Sequence, residues 1–323
     1  MRLSKPAPMI PALVALIVGT STAWSQDFPA KPIRIWTSEA GGGNDFAARL
    51  IAQGVASGIG QQVIIENRGT AGGTIAAQAV AKSPGDGYTL LFYGSNIWLM
   101  PFLRDNVPYD PIRDFAPITL ATRAPHLLVV HPSLPVRTAR ELVVLARNNP
   151  GKLNYGSGGA GSSTQIASEL LKSMAQINIV HIAYKGSGPA QKALISGEVQ
   201  IAFATPGAVA THVKSGRLRA LAVSSAQPSP LFPDMPTIAA TGVPGYETAS
   251  ILGVFAPART PPALVARLNQ EFVRALHRPD VKEKFFSVGI ETVGTSSEEL
   301  GGTVKSEMTR LGKVIKEAGI RDE

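Results

Sequence analysis

Ile33-Arg34-Ile35-Trp36 is followed by Glu39-Ala40-Gly41-Gly42-Gly43-Asn44-Asp45, and that by Phe46-Ala47-Ala48-Arg49-Leu50-Ile51. The first block has the apolar character of a strand and the third that of a helix. Between them, three glycines remove every Cβ where the chain turns, so a small ligand can touch the backbone. The first N–H groups of the helix have no intrahelical partner and point back at this turn. Such a turn is a ready site for a carboxylate or another anion. The same residues also read as a plain connection, with Asn44 or Asp45 as the helix N-cap.

Upstream, Arg2 and Lys5 precede an apolar run over 9–18, and Ala23-Trp24-Ser25 offers small residues at the positions a signal peptidase reads. The expectation is a signal peptide over 1–25, cleaved near Ser25, and a periplasmic protein. The run is too short for a convincing membrane span. Roughly 300 residues remain, enough for two domains with cores that need no disulfides. The chain has no cysteine, which excludes disulfide frameworks, thiolate nucleophiles and Cys-based metal sites. Its net charge of +8 comes from scattered basic residues and aromatics are only 6%, so nucleic acid is not an expected partner.

Downstream, short β-like runs alternate with longer helical ones. The patterns predict strands over 31–38, 62–66, 88–93, 152–155, 177–182, 199–203, 218–223 and 250–255. They predict helices over 45–56, 74–82, 138–148, 162–174, 189–196 and 206–214. In the first helix, Phe46, Leu50, Ile51 and Val55 fall close to one apolar face. Leu264, Leu268, Phe272 and Leu276 mark a further amphipathic helix. A last helix starts at a capping box, Ser296 with Glu299, and ends near Gly319. The apolar run over 117–130 is broken at Arg123-Ala124-Pro125, which predicts two strands and a crossover between domains. The strand over 250–255 returns to the first domain. The expected fold is α/β: two lobes, 26–123 plus 251–323 and 124–250. Each is a mostly parallel sheet flanked by helices, and two crossover strands join them. Ligands of such sheets sit at the carboxyl ends of strands, where 41–45, 94–96, 156–164, 184–188 and 205–207 all fall.

Catalytic and cofactor signatures are mostly missing. Gly156-Ser157-Gly158-Gly159-Ala160-Gly161 fits G-x-G-x-x-G, but position 181, where a dinucleotide site wants an acid, is His. The hydroxyls of Ser162, Ser163 and Thr164 can cap a helix and also hold a carboxylate. No histidine pair has helical zinc spacing. His126 and His131, five apart on an extended run, face opposite sides. A hydrolase using a serine within 157–163 is the alternative from another class, and no base stands beside those serines in the sequence. No metal or cofactor is expected. Glu39 reads either as a solvated or ion-paired residue, with Arg34 or Lys185 as partner, or as an acceptor for a ligand amine, amide or hydroxyl.

Several ordered stretches carry a resemblance. They include Phe28-Pro29-Ala30-Lys31-Pro32-Ile33-Arg34, Gly41-Gly42-Gly43-Asn44-Asp45-Phe46-Ala47-Ala48-Arg49, Val63-Ile64-Ile65-Glu66-Asn67-Arg68 and Ala71-Gly72-Gly73-Thr74. Asp86-Gly87-Tyr88-Thr89-Leu90-Leu91, Tyr184-Lys185-Gly186, Gly216-Arg217-Leu218-Arg219-Ala220-Leu221-Ala222-Val223 and Phe232-Pro233-Asp234-Met235-Pro236-Thr237 continue the series. The chain resembles the extracytoplasmic substrate-binding proteins of tripartite tricarboxylate transporters, the Bug family. That resemblance implies a type II periplasmic binding protein, a small carboxylated ligand between the lobes, and membrane transporter subunits as partners of a monomer. A ligand-sensing subunit of a membrane signalling protein would use the same closed form. The family's ligand-holding turns correspond to 41–45 and 158–165. With the other strand ends, the ligand-binding candidates are Ser38, Glu39, Gly42, Gly43, Asn44, Asp45, Ser95, Asn96, Ser157, Gly158, Gly161, Ser162, Ser163, Thr164, Gln165, Tyr184, Lys185 and Thr205. The family often has an aromatic residue where Ser38 stands, Pro or Ala near Glu39, and His where Gln165 stands. These departures favour a ligand with one carboxylate and a neutral or donor end.

Overall fold

The computed structural model describes residues 28–38, 40, 43–159, 161–184, 186–317 and 319–321. The expected leader, Glu39, Gly41, Gly42, Ala160 and Lys185 lie outside them. The chain opens with β1 (Ile33–Thr37), α1 (Gly43–Ile59), β2 (Val63–Asn67), a 3-10 turn (Thr70–Gly73), α2 (Thr74–Lys82), β3 (Thr89–Gly94), α3 (Asn96–Leu103) and β4 (Phe115–Pro125). It continues through β5 (Leu127–Val130), α4 (Ala139–Asn148), β6 (Asn154–Ser157), α5 (Ser163–Ala175), β7 (Val180–Ala183), α6 (Ser187–Ser196), β8 (Ile201–Ala204), α7 (Pro206–Lys214) and β9 (Arg219–Val223). It returns as β10 (Ala249–Pro257), α8 (Pro262–Leu276), α9 (Pro279–Ser287), β11 (Glu291–Thr292) and α10 (Ser297–Glu317).

Among the described residues the strands form two sheets, ordered β11-β4-β10-β3-β1-β2 and β7-β6-β8-β5-β9. Both are mixed rather than mostly parallel. β1 runs parallel to β2 and β3, and β6 parallel to β7 and β8, because helical crossovers join them. The crossover strands oppose that direction: β10 is antiparallel to β3 and β4, and β5 to β8 and β9. The central strands β3 and β10 are covered on both faces, which is why Leu90-Leu91-Phe92-Tyr93 and Ile251 to Ala256 show no polar alternation.

Helices cover both faces of each sheet. In the larger lobe one core layer lies under α1, α8 and α9, with Ile51, Leu268, Phe272 and Phe285. The other lies under α2, α3 and α10, with Trp98, Leu99, Leu300 and Ile315. In the smaller lobe α4 and α5 cover one face around Leu142, Tyr155 and Leu171. α6 and α7 cover the other around Leu194 and Val209. The layers are not separate at the join. Ile166 of α5 sits in the larger lobe's core and Val314 of α10 in the smaller lobe's core.

The helix ends follow the sequence signals. Ser296 Oγ accepts from the Glu299 N–H at 3.1 Å while Glu299 Oε2 accepts from the Ser296 N–H at 2.9 Å, a reciprocal capping box. Gly319 takes φ +64°, and the Ile320 N–H returns to the Ile315 carbonyl, closing α10. Three elements escaped the sequence patterns. α3 is apolar on nearly every position and carries Pro101, so it shows no helical stripe. α9 is short and α8 leads into it through a single turn. β11 is two residues long.

Candidate functional site

Four helices begin at one place. β1 feeds α1, β6 feeds α5, β7 feeds α6 and β8 feeds α7, and each connection leaves its strand at the carboxyl end. Their first turns supply Gly43 and Asn44, Ser163 and Thr164, Ser187 and Gly188, and Gly207 to one cleft of about 560 Å³ between the sheets. That volume suits a small organic ligand. Thr122, Ala124, Ser250 and Leu252 of the crossover strands form part of its wall. The caps differ. Ser162 Oγ accepts from the Gln165 N–H at 3.3 Å and so occupies one donor of α5. The N-cap residues of α6 and α7, Gly186 and Thr205, make no side-chain cap bond. In the first turns of these two helices the N–H groups of Ser187, Gly188 and Gly207 therefore meet no capping side chain, whereas Pro189 and Pro206 have no N–H and Ala208 donates to the Thr205 carbonyl. None of the described lining residues carries a charge. The wall offers backbone donors, hydroxyls and the amides of Asn44 and Gln191, together with Phe46, Leu194, Phe203, Val209, Leu252, Val288 and Ile290.

One hydroxyl has its direction set. Gly161 donates its N–H to Gln165 Oε1 at 2.7 Å, which turns the amide Nε2 toward His181 Nδ1 at 3.3 Å. Nε2 of an amide only donates, so the imidazole proton belongs on His181 Nε2, 2.7 Å from Ser157 Oγ. Ser157 Oγ also accepts from the Gly159 N–H at 3.3 Å. With both acceptor positions used, its own hydrogen is left to point into the cleft. Tyr155 stacks on the His181 ring at 4.8 Å and hydrogen-bonds Glu169, which Lys172 pairs at 2.8 Å. Burial, the largest influence, lowers the His181 pKa; Glu169 opposes this and Lys172 adds to it.

A second imidazole stands at the crossover. His126 is fully buried between β4 and β5, with Nε2 3.1 Å from Ser163 Oγ. Burial lowers its pKa to about 4. Its Nδ1 has no hydrogen-bond partner among the described residues. Two cleft serines thus do have a histidine beside them, contrary to the sequence expectation. β6 and β7 pair in parallel with Tyr155 opposite His181, which brings together residues 24 apart in the chain. Neither pair is set up as nucleophile and base. His181 presents a proton rather than a lone pair to Ser157, and His126 is a weak base with no acid orienting it.

Residues 47–320 match the family described as "Tripartite tricarboxylate transporter family receptor". The chain belongs to that receptor family. Protein BugT of Bordetella pertussis is 34% identical over 303 residues, covering 91% of both chains. Among solved structures, R. palustris Rpa4515 with adipate is 37% identical with a TM-score of 0.84, covering 91% of this chain and 99% of that one. MatC from Rhodopseudomonas palustris with bound malate is 29% identical with a TM-score of 0.80, covering 89% and 100%. The resemblance seen in the sequence stands, and the two-lobe periplasmic binding protein fold with it.

In this family member the structure gathers Gly43, Asn44, Ser157, Gly158, Ser163, Thr164 and Thr205, all expected at the site, around the cleft. Eight other candidates do not line it. Asp45 is buried, accepts from Asn67 Nδ2 at 2.8 Å and pairs with Arg49 at 2.9 Å. The Ser38 carbonyl accepts from the same Asn67 amide at 2.7 Å. Asn96 donates to the Gly72 carbonyl and Tyr184 to Glu198 Oε1. Gly161, Ser162 and Gln165 make the internal bonds already described, and Ser95 faces a cavity of about 10 Å³ beside Glu307 and Arg310. Glu39, Gly42 and Lys185 lie outside the described residues. Arg34, one suggested partner of Glu39, is paired with Glu66 at 3.0 Å. Ser187 and Gly207 fall in the strand-end stretches 184–188 and 205–207 but were not among the named candidates, and sequence reasoning missed Phe46 and Gln191 as lining residues altogether. Phe46 fits the apolar spacing of α1, so nothing in the pattern showed that it faces the cleft.

Proposed function

We propose that this protein is an extracytoplasmic solute-binding protein that captures a small carboxylate between its lobes and presents it to membrane subunits of a tripartite tricarboxylate-type transporter. The observation that carries this reading is the convergence of four helix N-termini on a cleft between the two sheets whose described lining residues carry no charge. The adipate and malate bound to its structural neighbours support the ligand class. A leader over 1–25, removed on export, and a mature periplasmic chain that acts as a monomer are part of this proposal. Lobe 1 is 26–123 plus 251–323 and lobe 2 is 124–250. No helix among the described residues is long and apolar enough to cross a membrane.

Hydrogen bonds to a charged group contribute about 1.5–3 kcal/mol each. Three or four, less the ordering costs, support roughly micromolar affinity, about −8 kcal/mol. The proton on His181 and the unoriented, weakly basic His126 favour binding over hydrolysis at the same serines. A thermal-shift screen of the purified mature chain with aliphatic and aromatic mono- and dicarboxylates tests the reading. A ligand at a hundredfold excess over its Kd adds about 2.7 kcal/mol to stability. If no carboxylate raises the melting temperature, the reading is wrong. Turnover of a stabilising ligand would move it to the hydrolase alternative.

A further inference from the structure

The cleft has an apolar side that its anion-holding turns do not explain. Phe46 lies in the first turn of α1, yet the residue is 44% exposed and lines the cleft. It is held in place edge-to-face against Phe285 at a centroid distance of 6.3 Å. Val288 and Ile290, both half-buried, line the same lobe's side, and Ala204 and Ala208 of the other lobe line the cleft as well. An exposed aromatic ring inside a ligand-sized cleft gains by being covered, whereas water gives it nothing. A compact ion with carboxylates and hydroxyls on every carbon would leave that ring and its neighbours against polar atoms.

We infer that the ligand is a carboxylate with an apolar body, an aromatic ring or an unbranched aliphatic chain. The carboxylate is held at the helix N-termini and the body lies against Phe46, enclosed as the lobes meet. This rests on the carboxylate-binding reading above and narrows it. Adipate has such a body, and malate, short and hydroxylated, does not. Phe46 is then the residue that sets the preference for the body, separate from the groups that hold the anion. The small side chains of Ala204 and Ala208 leave room for it.

The test is calorimetric titration of the mature chain with hexanoate, benzoate, adipate, malate and citrate, repeated on Phe46→Ala and Ala208→Leu. Phe46 is exposed, so Phe46→Ala leaves the fold intact, and melting curves of both variants check this. Hexanoate, benzoate or adipate should bind at least tenfold tighter than malate and citrate. Phe46→Ala should weaken the body-bearing ligands by about tenfold and leave malate and citrate within twofold. Ala208→Leu should act in the same selective way by filling the space opposite. Tighter binding of malate or citrate than of any body-bearing ligand overturns the inference and leaves the carboxylate reading standing. So does a Phe46→Ala variant that binds every ligand as the wild type does. Failure of all five to bind overturns both.

Discussion

Gly207→Ala tests whether the lobes must meet at α7 for the ligand to be held. A Cβ on Gly207 would stand 2.9 Å from the Val288 carbonyl oxygen and 3.4 Å from Val288 Cβ. Its three nearest atoms all belong to Val288, which follows α9 on the other lobe. The closest contacts of the added methyl therefore lie across the cleft. An ordinary carbon–oxygen contact is roughly half an ångström longer, and a backbone carbonyl cannot swing away as a side-chain tip can. Overpacking of this kind costs about 1–3 kcal/mol, or about fivefold to more than a hundredfold in affinity if it is met only in the closed form. The open form escapes it and gains about 0.5–1 kcal/mol from replacing a helical glycine. The ligand-free protein should be as stable as the wild type or slightly more so, while affinity falls. Titration calorimetry with the ligand giving the largest thermal shift, alongside chemical denaturation, reads both quantities. Gly302→Ala is the control, because its Cβ would meet nothing within 4 Å on the exposed side of α10. Unchanged affinity in Gly207→Ala with raised stability would refute the closure argument.

Burial of His126 makes stability pH-dependent with a definite sign. Its pKa of about 4 in the fold lies below the ordinary value of 6.5, so the unfolded chain binds the extra proton between those values. Stability is full above pH 6.5 and falls as pH drops toward 4, by an amount on the order of 3 kcal/mol, and urea melts of His126→Gln should show a flatter profile. Gln165→Glu puts an acceptor against His181 Nδ1, moves the ring proton there and turns the Ser157 hydroxyl away from the cleft. Affinity for a carboxylate should fall about tenfold or more, and nitrogen NMR of His181 should report the exchanged tautomer; wild-type affinity with an exchanged tautomer would remove Ser157 from the site. Ser296→Ala breaks the capping box of α10 and should lower stability by about 1 kcal/mol without changing ligand affinity, as denaturation and titration together would show.

The parts of the fold that the sequence made legible are those written in neighbouring residues. The Ser296–Glu299 box and the Pro206 start of α7 each rest on local chemistry and appear at their expected places, whereas the break expected at Arg123-Ala124-Pro125 falls just after it, because β4 runs through Pro125, paired with Ala249. The strand-end turns were legible for the same reason, and seven candidates from them line the cleft. What escaped depends on partners distant in the chain. α3 is apolar all round because β3, β10 and α10 surround it, so it has no stripe to read. The Ser157–His181 and Ser163–His126 contacts arise from sheet register and the crossover. Asp45 looked like a ligand group but is consumed by Asn67 and Arg49, residues on the neighbouring strand and the next turn of its own helix.

The shared packing of α5 has a mechanical consequence. Ser163 and Thr164 face the cleft, and Ile166, less than one turn on, is embedded in the core of the opposite lobe. One helix thus carries both cleft-lining hydroxyls and a side chain seated in the other lobe's core. A solute held by Ser163 and Thr164 would therefore act on the join between the lobes with no relay through intervening side chains. A change at Ile166, which lies outside the cleft, should then alter how long the jaws stay shut, and residence time rather than the strength of any single contact is where it would be felt.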